Sequence, residues 1–88
     1  MLTDSSSPDI IVYGTNWCGA TRRTRSFLDA HQIPYTYIDI DHDTDGRTFV
    51  EQTNHGYRSV PTILFPDGST LTEPMQSELA KKLGIDNS

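Results

Sequence analysis

The single cysteine, Cys18, constrains the fold more than any other feature of this chain. One cysteine allows no disulfide within the chain, so 88 residues must be held together by a hydrophobic core alone. Small secreted domains commonly add disulfides, whereas reducing compartments disfavour them. We therefore expect one domain over residues 1–88 and a cytoplasmic location.

Composition and charge argue against two kinds of partner. The net charge of −5 disfavours nucleic acid, because contacts with phosphates need a basic surface. No apolar run approaches the length of a membrane span, and residues 1–8 lack the pattern of a signal peptide. We expect a monomer with no nucleic-acid or membrane partner, and frayed tails at 1–8 and 85–88.

Hydrophobic patterns predict seven elements in the order β-α-β-α-β-β-α. Four strands are predicted at residues 9–13, 35–40, 62–65 and 69–71. Three helices are predicted from 18 to about 31, from 43 or 44 to 54, and from 72 or 73 to 83. The last of these carries Pro74 in its first turn.

The order of the elements predicts the architecture. A strand, a crossover helix and a second strand form a parallel pair, and the turn Pro66-Asp67-Gly68 forms a hairpin. The predicted fold is α/β, a mixed four-stranded sheet with three helices. The first helix is expected to bury a stripe formed by Ala20 or Thr21, Thr24, Phe27, Leu28 and His31. The last helix is expected to bury Met75, Leu79 and Leu83.

The predicted position of Cys18, between the first strand and the first helix, suits a reactive thiol. Unpaired N–H groups and the helix dipole at a helix N-terminus favour the thiolate, which is the nucleophilic form. Thr21, three residues on, can donate a hydrogen bond to the sulfur, and Arg22 can add positive charge. Gly19 allows a substrate backbone to come close, and Trp17 provides an apolar wall.

Plainer interpretations exist for each of these residues. Free cysteines are more often buried packing residues than nucleophiles. Trp17 can be a packing residue, and Arg23, in the basic cluster that follows the cysteine, can belong to a solvated helix face. The triplet Val60-Pro61-Thr62 is a second signal, because a cis Pro61 would expose the Val60 backbone for pairing with an extended substrate. The alternative is an ordinary edge-strand proline.

The element order, Cys18 and Val60-Pro61-Thr62 together resemble the glutaredoxin branch of the thioredoxin superfamily over residues 10–83. Trp17-Cys18-Gly19 and Asp67-Gly68-Ser69-x-Leu71-Thr72-x-Pro74 look most like the mycoredoxins. The resemblance implies a thioredoxin fold with Cys18 as the redox nucleophile. It also implies a cis Pro61 packed against the cysteine, with Val60 and Thr62 flanking a substrate groove.

The resemblance further implies a low-molecular-weight thiol as co-substrate, lying near Leu71-Thr72-Glu73. Two positions depart from the glutathione-using members. Many of them carry a lysine three residues before the cysteine, where this chain has Thr15, and Gly-Gly after the fourth strand, where this chain has Leu71-Thr72-Glu73-Pro74. Mycothiol, glutathione and other thiols therefore stay open, and no bound cofactor is expected.

Thr21 stands where a C-x-x-C motif would have its second cysteine. The resemblance then implies a monothiol cycle, in which Cys18 acts on S-thiolated proteins and a second small thiol completes the exchange. One alternative is a dimeric glutaredoxin that holds a [2Fe–2S] cluster, since Cys-Gly-x-Ser sites do so. Another is a redox-inactive binding module. No metal site is expected, because Cys18, His31, His42 and His55 lack metal-ligand spacing.

Overall fold

The computed structural model describes residues 10–85. Its elements are β1 (Ile10–Gly14), α1 (Gly19–Ala30), β2 (Tyr35–Asp39), α2 (Thr44–Thr53), β3 (Thr62–Leu64), β4 (Thr70–Thr72) and α3 (Gln76–Leu83). The predicted α/β fold, with its order of elements, its mixed sheet and its three helices, is confirmed. The tail predicted at 1–8 and most of that predicted at 85–88 lie outside the described residues.

The sheet has the strand order β2-β1-β3-β4. β1 pairs with β2 in parallel, from Ile10 opposite Tyr35 to Gly14 opposite Asp39. β3 is antiparallel to both β1 and β4. β1 and β3 are thus the interior strands. The loop with Cys18 follows β1, and the loop with Val60 and Pro61 precedes β3.

The core has two parts because successive side chains of β1 point to opposite faces of the sheet. On one face Val12 packs with Phe27 and Leu28 of α1 and Leu79 of α3. On the other face Tyr13 packs with Ile40 and with Val50 of α2. Full burial of one such aliphatic side chain stabilises the fold by about 1.5–3 kcal/mol. The sheet is therefore anchored on both faces close to the end of β1.

The start of α3 was predicted two or three residues too early, since the N-cap residue is Met75 and not Thr72 or Glu73. Thr72 belongs to β4, and Glu73 has a left-handed backbone (φ 50°) with its N–H donating to the carbonyl of Pro61 at 2.8 Å, so neither residue caps the helix. Pro74 precedes the helix instead of lying in its first turn. Met75 is the N-cap residue, and its N–H donates to the Glu78 carboxylate at 2.8 Å. Its side chain is 68% exposed, so its predicted burial was wrong.

His31 was also predicted to be buried and is exposed. α1 ends at Ala30, and the His31 ring lies outside the core against the ring of Phe27. Ile33 packs on the core there instead, with its N–H donating to the Leu28 carbonyl. Ile85 falls in the predicted frayed tail, yet it packs partly buried on the core. Within residues 10–85, no helix is long and apolar enough to cross a membrane.

Candidate functional site around Cys18

Cys18 is the N-cap residue of α1, with extended backbone angles (φ −82°, ψ 122°). Its carbonyl accepts the first helical hydrogen bond from the Arg22 N–H at 3.1 Å, and its own N–H donates to Thr15 at 3.3 Å. The side chain is half-buried. Sequence and structure thus agree that Cys18 lies at the open N-terminus of a helix, directly after an interior strand.

Opposing effects act on the pKa of the Cys18 thiol. Burial is the largest effect and raises the pKa. The Thr21 N–H, the Thr21 hydroxyl and the Ala20 N–H favour the thiolate, while the charge of Glu73 disfavours it. The hydrogen-bond donors together outweigh burial and the charge of Glu73, so the pKa of Cys18 lies below its ordinary value of 9.0. The open end of the helix therefore favours the nucleophilic form of this cysteine.

Thr21 is fully buried beneath the sulfur and packs tightly on Gly14. A methyl group on Gly14 would come within 2.6 Å of the Thr21 hydroxyl, so only glycine admits Thr21 at this place. The Thr21 hydroxyl has no well-formed hydrogen bond to any other group in residues 10–85. Its nearness to the sulfur is nevertheless one of the causes that lower the pKa of Cys18.

Arg22, predicted to add charge near the thiol, lies on the surface. Its Nη1 donates to the Asn16 carbonyl at 3.3 Å, and it is not among the groups that shift the Cys18 pKa. A catalytic role for Arg22 stays a prediction. Thr15, predicted to contact a thiol, is buried, and its hydroxyl has no hydrogen-bond partner in residues 10–85.

Val60 and Pro61 lie directly beside the cysteine. The Val60–Pro61 peptide bond is cis, and the Cys18 thiol approaches the Val60 carbonyl with Sγ at 3.9 Å. Pro61 is buried and leads into β3, an interior strand. The alternative of an ordinary edge-strand proline is therefore wrong.

Asn54 holds this segment in place and was missed as a site residue. Its Nδ2 donates to the Val50 carbonyl at 2.8 Å and to the Thr62 hydroxyl at 3.0 Å. Its Oδ1 accepts a bond from Thr72 at 2.8 Å. The buried Thr62 hydroxyl in turn donates to the Ser59 carbonyl at 2.7 Å. In the sequence, Asn54 signalled only the end of a helix.

On one side of Cys18 lies a groove of about 380 Å³, here called the Trp17 groove. It is lined by Thr15, Trp17, Ile40, Asp41, Gly56, Tyr57, Arg58 and Val60. Trp17 and Tyr57 are each 71% exposed, which argues against a simple packing role for Trp17. The indole N–H of Trp17 donates to the Asp41 carboxylate at 2.9 Å. Asp41, Tyr57 and Arg58 were not predicted as site residues.

On the other side lies a cavity of about 510 Å³, here called the Met75 cavity. It is lined by Ala20, Arg23, Thr24, Glu73, Pro74, Met75, Gln76 and Leu79. Of the predicted segment Leu71-Thr72-Glu73, only Glu73 lines it. Leu71 packs partly buried on the core, and Thr72 is bonded to Asn54. Within residues 10–85, no group of three His, Cys, Asp or Glu side chains could hold a metal ion.

Comparison with known proteins identifies sequences and structures that are similar to this chain. The family model for glutaredoxin matches residues 10–69. A Mycobacterium tuberculosis protein named "Putative glutaredoxin" is 43% identical over 74 residues, which cover 84% of this chain and 88% of the relative. Mycoredoxin 1 of Corynebacterium glutamicum is 33% identical over 75 residues, covering 85% of this chain and 92% of the relative.

Among solved structures, a mutant thioredoxin-like protein aligns with a TM-score of 0.79 at 24% identity. The alignment covers 89% of this chain and 97% of that protein. At this identity the likeness speaks for the fold alone.

Proposed function

Because the chain belongs to the glutaredoxin family, we propose that it is a monothiol oxidoreductase for mixed disulfides between proteins and a low-molecular-weight thiol. The family supports thiol–disulfide exchange in general. The monothiol assignment is carried by one observation: Cys18, the N-cap residue of α1, is the only cysteine of the sequence, and Thr21 stands at the position of a second cysteine.

In the first step, the Cys18 thiolate attacks the sulfur of the small thiol within the mixed disulfide. A Cys18–small-thiol disulfide forms, the bond to the client protein breaks, and the client cysteine leaves as a thiolate that takes a proton from water. The lowered pKa of Cys18 raises the fraction of thiolate available for attack. The neighbouring Val60 backbone offers polar groups to an extended ligand.

In the second step, a thiolate of another small-thiol molecule attacks the small-thiol sulfur of the Cys18 adduct. Cys18 leaves as a thiolate, and the two small thiols are released as their symmetric disulfide. The N–H groups of Ala20 and Thr21 and the Thr21 hydroxyl stabilise Cys18 as the leaving group. No second cysteine of the chain competes for the adduct, because Cys18 is the only one.

Mycothiol and glutathione are the two proposed co-substrates. The name of the corynebacterial relative favours mycothiol. Thr15 points the same way, because a lysine common in glutathione-using members is absent from this position. We further propose that the protein acts as a single-domain monomer on S-thiolated proteins in the cytoplasm.

The test compares reduction of one model protein carrying either glutathione or mycothiol as a mixed disulfide with reduction of insulin. We expect turnover of a mixed disulfide, poor insulin reduction, and no activity in Cys18→Ser. Thr21→Cys should gain insulin reduction, because a second thiol can then resolve the complex. Robust insulin reduction by the natural chain without mixed-disulfide activity would overturn the proposal. Slow alkylation of Cys18 with no turnover would instead indicate a redox-inactive module.

A further inference from the structure

Arg22 and Arg23 form a basic pair that the proposed exchange does not use. The chain is acidic overall, with a net charge of −5, yet it places these two residues in the first two turns of the helix that begins at the nucleophile. Both side chains are exposed. An exposed pair of like charges beside a reacting centre is a candidate recognition surface.

The two guanidinium groups converge on the residue next to Cys18. A methyl group placed on Gly19 would lie 3.3 Å from Nη1 of Arg23 and 4.0 Å from Nη2 of Arg22. The third arginine of the cluster behaves differently. Arg25 lies 3.9 Å from the ring centre of Tyr37 and donates to the Tyr35 hydroxyl, so it serves the packing of α1 on β2.

The structure pairs neither guanidinium with a carboxylate in the part of the chain that it describes. Its ion pairs there are His42 with Asp39, Arg58 with Glu51, and Lys82 with Asp67. Glu73 lines the Met75 cavity together with Arg23 but makes no ion pair with it. Two neighbouring positive charges without a counter-ion attract an anionic group from outside the chain.

We propose that Arg22 and Arg23 form a docking site for acidic residues that flank the S-thiolated cysteine of a client protein. The proposal rests on the proposed function, since it concerns the client of the same exchange. A mixed disulfide has two arms, and the segments predicted to contact the small thiol are those of Val60 and Glu73, which belong to other parts of the chain than α1. The arginines lie on the exposed surface of α1, where the chain of a client has room to pass. Opposite charge at such a rim raises the association rate and selects among partners.

The experiment uses two peptide disulfides of the same small thiol, whose modified cysteine is flanked either by Asp and Glu or by Lys. The measured quantity is the ratio of kcat/KM for the acidic peptide to that for the basic peptide. We expect the natural chain to prefer the acidic peptide and 0.5 M salt to weaken this preference. Arg23→Gln should reduce the ratio about threefold, and the double variant with Arg22→Gln should reduce it further.

Lys81→Gln is the matched control, because it removes one positive charge from an exposed position in the last turn of α3. It should leave the ratio unchanged. Equal kcat/KM for both peptides, or an equal loss in Lys81→Gln, would overturn the docking site. The docking site would also be overturned if Arg23→Gln lowered kcat/KM equally for the acidic peptide and for a disulfide of the small thiol that carries no peptide. That result would assign the arginines to a carboxylate of the small thiol. Absence of turnover with every substrate would instead count against the proposed function.

Discussion

Cys18 lies between two regions that differ in how they are bound to the fold. The wall consists of the buried Thr21, Pro61 and Thr62 and the half-buried Asn54, whose side chains are packed or hydrogen-bonded within the fold. The exposed rim consists of Trp17, Asp41, Arg22 and Arg23, whose partners are few and open to water. The wall sets the ionisation and position of the sulfur, whereas the rim is free to determine which molecule reaches it. Stability and reactivity should therefore be coupled at the wall and separate at the rim.

The largest expected effect is the loss of stability when Asn54 of the wall is substituted. Asn54→Ala removes three hydrogen bonds: the Thr72 hydroxyl loses its acceptor, and the Val50 carbonyl and the Thr62 hydroxyl each lose one donor. We expect the free energy of unfolding to fall by about 2 kcal/mol, because partly buried polar groups lose hydrogen bonds. Urea unfolding followed by circular dichroism measures this change.

Two variants sharpen this prediction. Asn54→Asp keeps an acceptor for Thr72 but places a carboxylate oxygen against the Val50 carbonyl, so its loss should be at least as large. Asn16→Ala removes an exposed asparagine, which bonds Tyr37, and should change the free energy by no more than about 0.5 kcal/mol. A smaller loss in Asn54→Ala than in Asn16→Ala would contradict the distinction between the wall and the exposed residues near Cys18.

The next variant, also in the wall, should change stability and reactivity together. Thr21→Val keeps the shape of a buried side chain and removes a hydroxyl that has no well-formed bond. We expect the free energy of unfolding to rise by about 1 kcal/mol, because that hydroxyl no longer needs to be desolvated. The pKa of Cys18 should rise at the same time, because the thiolate loses one of its donors.

The rate of Cys18 alkylation against pH measures this pKa. The natural chain should reach half of its maximal rate below pH 9.0, and Thr21→Val should need a higher pH. Both rates should converge once both thiols are ionised. Because folding lowers the pKa, thiolate formation stabilises the natural chain fully above the unfolded pKa, and this stabilisation is lost as pH falls through the folded pKa. Identical profiles for the two proteins would show that the Thr21 hydroxyl does not lower the pKa of Cys18.

The same contrast explains how much could be predicted from the sequence. The apolar run of β1 and the placement of Cys18 before a helix are local signals, and both predicted the structure well. The start of α3 was missed because Pro74 signals a helix start locally, while the Glu73 N–H is taken by the carbonyl of Pro61, the residue directly before β3. Trp17 and Asp41 are 24 residues apart, and no spacing rule connects them. Contacts made by the fold itself, such as those of Asn54, leave no local pattern.

The smallest expected effect is a change in KM when Asp41 of the rim is substituted. Asp41→Ala removes the acceptor of the Trp17 indole, so this side chain must be ordered again whenever a ligand enters the Trp17 groove. We expect KM for the mixed disulfide to rise about threefold while kcat stays constant. The free energy of unfolding should change by less than about 0.5 kcal/mol, since both groups are exposed. Asp41→Asn retains an acceptor oxygen and should restore most of the KM.

Trp17 is the only tryptophan of the chain, so its fluorescence reports on this contact alone. Asp41→Ala should change the emission spectrum and its quenching by acrylamide, whereas Asn54→Ala should not do so while the protein is folded. A loss of stability in Asp41→Ala as large as that in Asn54→Ala would show that the rim is part of the folded framework. An unchanged KM with altered fluorescence would show that the orientation of Trp17 does not govern binding in the groove.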